Sequence, residues 1–294
     1  MFRIEGYIEA DNLNHAANML ADNPNLLVIA GGTDLLIKVH GGKVKDVELL
    51  SIREIKELRR IHSYEDGSIG IGPLTTFTDI ANNLLIDEHL PILMQAASSV
   101  GGPQIRNAAT IGGNLCNGAV SADSAPILFA LNATLKLRSK TGSRIIPITD
   151  FYLGPGRVDL KQGEILEEIV VSSDNYKGFY GHYIKFSMRK AMDIATVGVA
   201  VTMSLKEENV FDEIRIGLGV AGPTPLRCLE AESYAKGRSI STKTIAEIGK
   251  LALKSTHPRT SWRASKEYRE QLIEELVQRA LKKSVADAGG VRLE

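Results

Sequence analysis

The chain has 294 residues, 44% of them hydrophobic, enough to bury a sizeable core and, at the usual domain size, more than one domain. Lysine plus arginine and aspartate plus glutamate number 35 each, so the net charge gives no electrostatic reason to expect nucleic acid or an anionic membrane as partner. Glu5, Glu9 and Asp11 stand where a secretion signal needs apolar residues, and Cys116 and Cys228 lack the spacing of zinc or iron–sulfur ligands and exclude a disulfide framework, so the sequence predicts a soluble, cytoplasmic chain with no metal centre of its own.

In chain order, Leu13, Ala16, Ala17 and Leu20 recur at helical spacing after Asp11, a good capping residue, and predict a helix over residues 12–20 that stops at Asp22-Asn23-Pro24. Residues 26–30 are a continuous aliphatic run, which suits a buried strand. The run breaks at Gly31-Gly32-Thr33-Asp34 before a new apolar pattern at Leu35, Leu36, Ile37 and Val39. A strand that feeds a glycine turn lets unpaired backbone N–H groups approach a phosphate. No Walker or GxGxxG pattern follows, however, and a plain tight turn is the commoner meaning of so short a motif. Residues 47–52 read as a further strand, and 57–61 with 68–71 as strands flanking the turn Glu65-Asp66-Gly67. Helices are predicted over 76–85 and 90–100.

Residues 101–123, GGPQIRNAATIGGNLCNGAVSAD, carry five glycines, a proline and the asparagines Asn107, Asn114 and Asn117, and are expected to form a shaped polar loop without regular structure. Loops of this length usually bind something or are disordered, and Ile111, Leu115 and Val120 argue against disorder. A long surface turn is the plainer alternative. Cys116 has no activating neighbour in sequence and reads as a packing residue. Residues 125–131 follow as a helix capped by Asp123 or Ser124, whose first N–H groups could face an anion. Residues 133–138 and 144–148 form a second predicted hairpin, and 164–171 a strand. Helices and strands mix without a strict βαβ rhythm, which favours an α+β fold over a doubly wound sheet.

Residues 172–178, SSDNYKG, are the clearest boundary in the sequence. Beyond them three strands are predicted over 183–188, 196–205 and 213–220, the last two joined by a polar turn at 206–209, as an antiparallel meander. Helices follow over 245–254 and 266–284, the second ending before Gly289-Gly290. No internal repeat is present.

The motifs AGGTDLL at residues 30–36 and ATIGGNLCNGAVSADSAP at 109–126 together resemble the flavin-binding subunit of the molybdenum hydroxylases, the xanthine dehydrogenase family. GPQIRNAATIGGN, KFSMRKAMDIATVGVA, GVAGPTPLRC and RTSWRASKEYR extend the resemblance over the full length, towards the separate FAD subunit of purine-type bacterial enzymes. The resemblance implies an FAD-binding domain of the vanillyl-alcohol-oxidase (PCMH) type over residues 1–175, in subdomains of about 1–55 and 56–175, and a C-terminal domain over 176–294 with a three-stranded antiparallel sheet and helices. It places pyrophosphate loops on Val28, Ile29, Ala30, Gly31, Gly32, Thr33, Asp34 and Leu35 and on Thr110, Ile111, Gly112, Gly113 and Asn114, with further flavin contacts at Val100, Asp123, Leu166 and Lys185.

Those assignments suit the residue types. Gly31, Gly32, Gly112 and Gly113 open the backbone to a diphosphate, Thr33 and Thr110 offer hydroxyls, and Asn114 supplies amide donors. Asp123 would repel a phosphate, so it belongs at the adenosine end or acts only as a helix cap; Lys185 read without the resemblance is an exposed strand lysine. Larger members have a glutamate where this chain has Asp34 and an aromatic residue where it has Val100, which removes stacking on the flavin at that position.

The function implied is a relay: non-covalently bound FAD receives electrons from a two-cluster iron–sulfur subunit and reduces NAD, while a molybdenum subunit oxidises xanthine or hypoxanthine. Related substrates are carbon monoxide, an aldehyde or an N-heterocycle. A flavin-free bridge between the other subunits is the alternative from a different class, and the intact glycine pairs speak against it. Because the flavin carries the chemistry, no general acid or base is sought among His15, His40, His62, His89, His182 and His257, which are scattered.

Overall fold

The computed structural model describes residues 4–207 and 209–290. Glu208, within the expected turn at 206–209, and residues 1–3 and 291–294, at the ends of the two expected domains, lie outside the described residues. Strands β1 (Ile4–Glu9), β2 (Leu26–Ile29) and β3 (Val47–Ser51) alternate with helices α1 (Leu13–Asp22) and α2 (Leu35–His40) in a βαβαβ unit. Its strands are all parallel, in the order β1-β3-β2, so the expected lack of βαβ rhythm fails for this opening stretch. The miss has a cause in β1, whose apolar residues Ile4 and Tyr7 are exposed and carry no buried periodicity. In α1 the cap is Asn12 rather than Asp11: its Oδ1 accepts from the His15 N–H at 2.9 Å.

The middle of the chain begins with a 3-10 turn at Lys56–Arg59, where a strand was expected, followed by the hairpin of β4 (Ile61–Ser63) and β5 (Ile69–Ile71). Gly67 in its turn has φ 81°, the left-handed conformation that glycine adopts most easily. The expected helix over 76–85 is two, α3 (Phe77–Ala81) and α4 (Leu84–His89), because the first ends at Asn82 and Asn83 caps the second with its side chain. Helix α5 (Pro91–Ser99) follows.

The glycine-rich stretch is not the irregular loop its composition predicts. It holds two six-residue helices, α6 (Pro103–Ala108) and α7 (Ile111–Cys116). Pro103 supplies a ready-made first-turn φ for α6, and the Thr110 side chain caps α7. Helix α8 (Ser124–Ala130) is buried along its whole length. Strands β6 (Thr134–Ser139), β7 (Gly142–Pro147) and β10 (Ile165–Val171) join the first hairpin in a five-stranded sheet of order β4-β5-β10-β6-β7, while β8 (Tyr152–Gly154) and β9 (Arg157–Val158) form a separate two-stranded ribbon.

The last sheet has four strands, β11 (Tyr180–Phe186), β12 (Val197–Glu207), β13 (Val210–Gly219) and β14 (Leu226–Arg227), all antiparallel neighbours in that order. The fourth, beyond the three expected, is two residues long and leaves no pattern to read. Val197, Val199, Val201 and Met203 alternate along β12 and pack in one core with α9 (Leu229–Ala235), α10 (Thr242–Ala252) and α11 (Lys266–Asp287). The other face of the sheet packs on α8. A Cβ at Gly217 would lie 2.0 Å from the Pro126 carbonyl oxygen, and Thr202 Oγ1 donates to the Ala130 carbonyl at 3.1 Å. This close approach fixes β11, which carries Lys185, against the residues that lead into α8, among them Asp123.

Candidate cofactor site

The two glycine motifs, far apart in sequence, lie against each other. A Cβ on Gly31 would stand 1.7 Å from the carbonyl oxygen of Ala108, so the turn between β2 and α2 rests directly on the connection from α6 to α7. A Cβ on Gly112 would stand 2.4 Å from Pro73 Cβ, which closes α7 onto the segment before α3. Gly32 has φ 72°, a turn conformation that side chains resist. Gly113 differs from all three. Its φ is not positive, and among the described residues, apart from the backbone of its own helix, the only atom within 4 Å of a Cβ built there is the Thr110 hydroxyl at 3.0 Å.

The backbone N–H groups of the second motif are already committed within the protein. Ile111 N–H donates to the Thr75 carbonyl (3.0 Å), Gly112 to Pro73 (2.9 Å), Asn114 to the Thr110 carbonyl (3.0 Å), and Gly113 to Thr110 Oγ1 (3.1 Å). That motif therefore offers a ligand close approach at Gly113, the Thr110 hydroxyl hydrogen and the Asn114 amide, rather than a ring of free N–H donors. Ser124 Oγ donates to Asn114 Oδ1 at 2.7 Å, which leaves the amide N–H groups as what Asn114 has to give.

Between the two motifs lies a cavity of about 500 Å³. Of the residues expected at the site, Val28, Ile29, Ala30, Gly31, Gly32, Thr33, Asp34, Leu35, Val100, Thr110, Gly112, Gly113, Asn114 and Leu166 line it. Ile111 does not; it is fully buried in the central core. The wall also includes residues the sequence did not single out: Pro73, Leu74, Phe77, Ile105, Leu160 and Ile165 supply apolar surface, and Lys38, Asn117 and Glu164 supply polar groups. Glu164 is held by Arg144 of β7, whose Nε and second terminal nitrogen reach its two oxygens at 2.7 Å each, and Arg144 also grips Asp159. The arginine holds the Glu164 carboxyl below the usual range. Cys116 lines the cavity as well, and burial pushes its thiol up to about 12, which keeps it protonated at neutral pH.

Asp123 and Lys185 sit apart from this cavity, paired with each other. Lys185 Nζ donates to Asp123 Oδ2 at 2.8 Å and to the Ser99 carbonyl at 3.0 Å, and Tyr183 Oη donates to Asp123 Oδ1 at 2.8 Å. Neither plain alternative holds: the Asp123 side chain makes no cap bond to α8, and the Lys185 side chain is only 10% exposed. Desolvation raises the Asp123 carboxyl above its ordinary range, opposed by the Lys185 ammonium and the Tyr183 hydroxyl. Lys185 lines a second cavity of about 610 Å³ with three further cations, Arg106, Arg189 and Lys190, and one acid, Asp193. Ser99 and Gly101 line this second cavity while Val100 between them lines the first, so one short segment forms part of both walls.

Residues 1–172 match the FAD binding domain in molybdopterin dehydrogenase. The chain belongs to the FAD-binding subunits of the xanthine dehydrogenase (molybdenum hydroxylase) family. Residues 182–284 of this flavoprotein subunit match the CO dehydrogenase flavoprotein C-terminal domain. It is 43% identical over 290 residues to the xanthine dehydrogenase FAD-binding subunit of Escherichia coli O157:H7, covering 99% of each chain. It is 31% identical to the glyceraldehyde dehydrogenase medium chain of Sulfolobus acidocaldarius, over 94% of this chain and 96% of that one. The fold superimposes on a chain of the carbon monoxide dehydrogenase from Hydrogenophaga pseudoflava with a TM-score of 0.92 at 27% identity, covering 97% and 99% of the two.

Several relatives are medium chains or FAD subunits of dehydrogenases, among them the medium chain of the carbon monoxide dehydrogenase of Hydrogenophaga pseudoflava. Among the described residues no cluster of three or more histidine, cysteine, aspartate or glutamate side chains could hold a metal ion, and no helix is long and apolar enough to cross a membrane. The first cavity fits a flavin dinucleotide: an aliphatic wall for a flat ring, hydroxyl and amide groups for polar atoms, and open space beside Gly113 for close approach to the backbone.

Proposed function

We propose that the cavity between the glycine motifs binds FAD non-covalently and that the chain passes electrons from an iron–sulfur subunit to NAD while a molybdenum subunit oxidises xanthine or hypoxanthine. The observation that carries the cofactor assignment is the convergence of both motifs on one cavity, with Gly113 the glycine whose missing side chain leaves open space. Bound FAD supplies exchange between one-electron and two-electron carriers. The protein's share is to bind and orient: Thr33, Thr110 and Asn114 offer polar contacts, Val28 to Leu35 form one wall, and Val100 and Leu166 offer aliphatic surface to the ring. Ile111 supports the site from the core, and Asp123 with Lys185 approaches it through the shared segment at Ser99. Cys116, protonated and without a histidine partner, favours non-covalent attachment. The cationic second cavity suits a dinucleotide acceptor that carries its own diphosphate, which favours NAD. The purine substrate is supported by the 43% relative named for xanthine.

Two half-reactions test the reading. Acid precipitation of the purified chain should leave FAD in the supernatant; FMN there, or flavin held in the pellet, contradicts the assignment. The isolated, FAD-loaded chain should oxidise NADH with an artificial acceptor and show no xanthine-dependent NAD reduction until the iron–sulfur and molybdenum subunits are added. If NADH reduces the flavin in neither preparation, NAD is not the acceptor.

A further inference from the structure

The charge around the first cavity leaves a question that the second glycine motif does not answer. The linker of a flavin dinucleotide is an anionic diphosphate, yet among the described residues the charged side chains lining the cavity are two acids, Asp34 and Glu164, and one cation, Lys38. Glu164 is matched by Arg144, and the N–H groups of residues 111–114 are bonded within the protein. Lys38 lies in the last turn of α2, and its ammonium reaches across to Asn117, the residue that ends α7, donating to Oδ1 at 2.6 Å. Its partner is thus a neutral amide, which leaves the positive charge uncompensated at the cavity wall. Both residues line the cavity, one from each side of the junction between the glycine motifs.

We propose that Lys38 is the cation that binds the diphosphate of the dinucleotide, exchanging its bond to Asn117 for the phosphate oxygens; the inference rests on the flavin reading above. A charge-assisted bond to phosphate is stronger than one to a neutral amide, so the exchange favours the bound state. Asn117 serves to keep the ammonium pointed across the cavity when no ligand is there, and contributes little once one is.

Fluorescence titration of the full-length chain, stripped of flavin, with FAD at increasing KCl tests this. Lys38→Met should weaken FAD binding by about tenfold or more, the usual weight of one charge-assisted bond, and should flatten the dependence on salt. Lys38→Arg should keep most of the affinity, and Asn117→Ala should lose clearly less than Lys38→Met, because it removes the tether and leaves the charge. Riboflavin, which has no phosphate, should bind parent and Lys38→Met alike. The proposal is overturned if Lys38→Met binds FAD with the parent's affinity and salt slope. Equal losses in Asn117→Ala and Lys38→Met, or a parallel loss for riboflavin, would show that the tether shapes the cavity and the charge is incidental. A parent chain that binds no FAD sinks the flavin reading itself, whereas a parent that binds FAD and a Lys38→Met chain that binds it equally well sinks only the role of Lys38.

Discussion

The two glycine pairs of this flavoprotein subunit look alike in sequence and do different work. In the first pair, Gly31 touches the Ala108 carbonyl and Gly32 holds a left-handed turn, so both serve the chain's own geometry. In the second, Gly112 is pressed onto Pro73, while Gly113 has ordinary φ and open space before it. Two of the four glycines thus join one segment to another, a third shapes its own turn, and one leaves room for something else. A glycine-rich motif is commonly taken as a cradle for phosphate. Here most of it is the joint that brings two distant segments together, and the cavity is what the joint encloses.

The largest effect expected from that difference is at Gly31. A methyl group placed 1.7 Å from a backbone oxygen can be accommodated only by parting the two motifs, so Gly31→Ala should lose about 3 kcal/mol of stability, the upper range for overpacking a close-fitted site, or fail to fold. Urea denaturation measures it. A Gly31→Ala chain as stable as the parent would show that the motifs are not joined there. Gly113→Val should behave in the opposite way. Only the Thr110 hydroxyl must yield, so the chain should fold with nearly parental stability yet purify without flavin, and Gly113→Ala should fall between. Absorbance of the purified proteins decides it: normal flavin content in Gly113→Val removes this glycine from the site.

How much of this was legible in the sequence follows from how local each feature is. The hairpin around Gly67 and the long meander of β12 and β13 were readable because turn residues and alternating side chains are neighbours in the chain. The helices α6 and α7 were not, because glycine content argues against helix while a proline at the start of one and a threonine cap on the other decide for it. Asp123 shows the stronger limit. It stands where a cap should, but Tyr183 and Lys185, 60 and 62 positions away, take its carboxylate. Lys38 and Asn117 are separated by 79 positions and carry no motif, so only the folded chain brings them to one cavity. The resemblance supplied most of the cavity lining residue by residue, and the structure supplied what connects those residues to the rest of the fold.

A smaller and more conditional effect is expected from the part of the cavity wall formed around Glu164. Arg144 ties Glu164 and Asp159 to β7 and so holds the turn from which Leu160, Ile165 and Leu166 reach the cavity. With the Arg144 side chain 26% exposed and that of Glu164 8%, Arg144→Met should cost about 1 to 2 kcal/mol after solvent screening is allowed for, and should weaken FAD binding less than Gly113→Val does. The effect should also depend on pH in one direction. The Glu164 pKa is lowered in the fold, chiefly by its hydrogen bonds to Arg144, so the stability it contributes is complete above the unfolded value near 4.5 and disappears as the pH falls through the lowered one. The gap in melting temperature between parent and Arg144→Met should therefore hold steady from neutral pH down to about that value and narrow below it. A gap that stays constant through the acid range would mean that the arginine acts by packing alone, and a gap that widens would place the decisive charge on a different group.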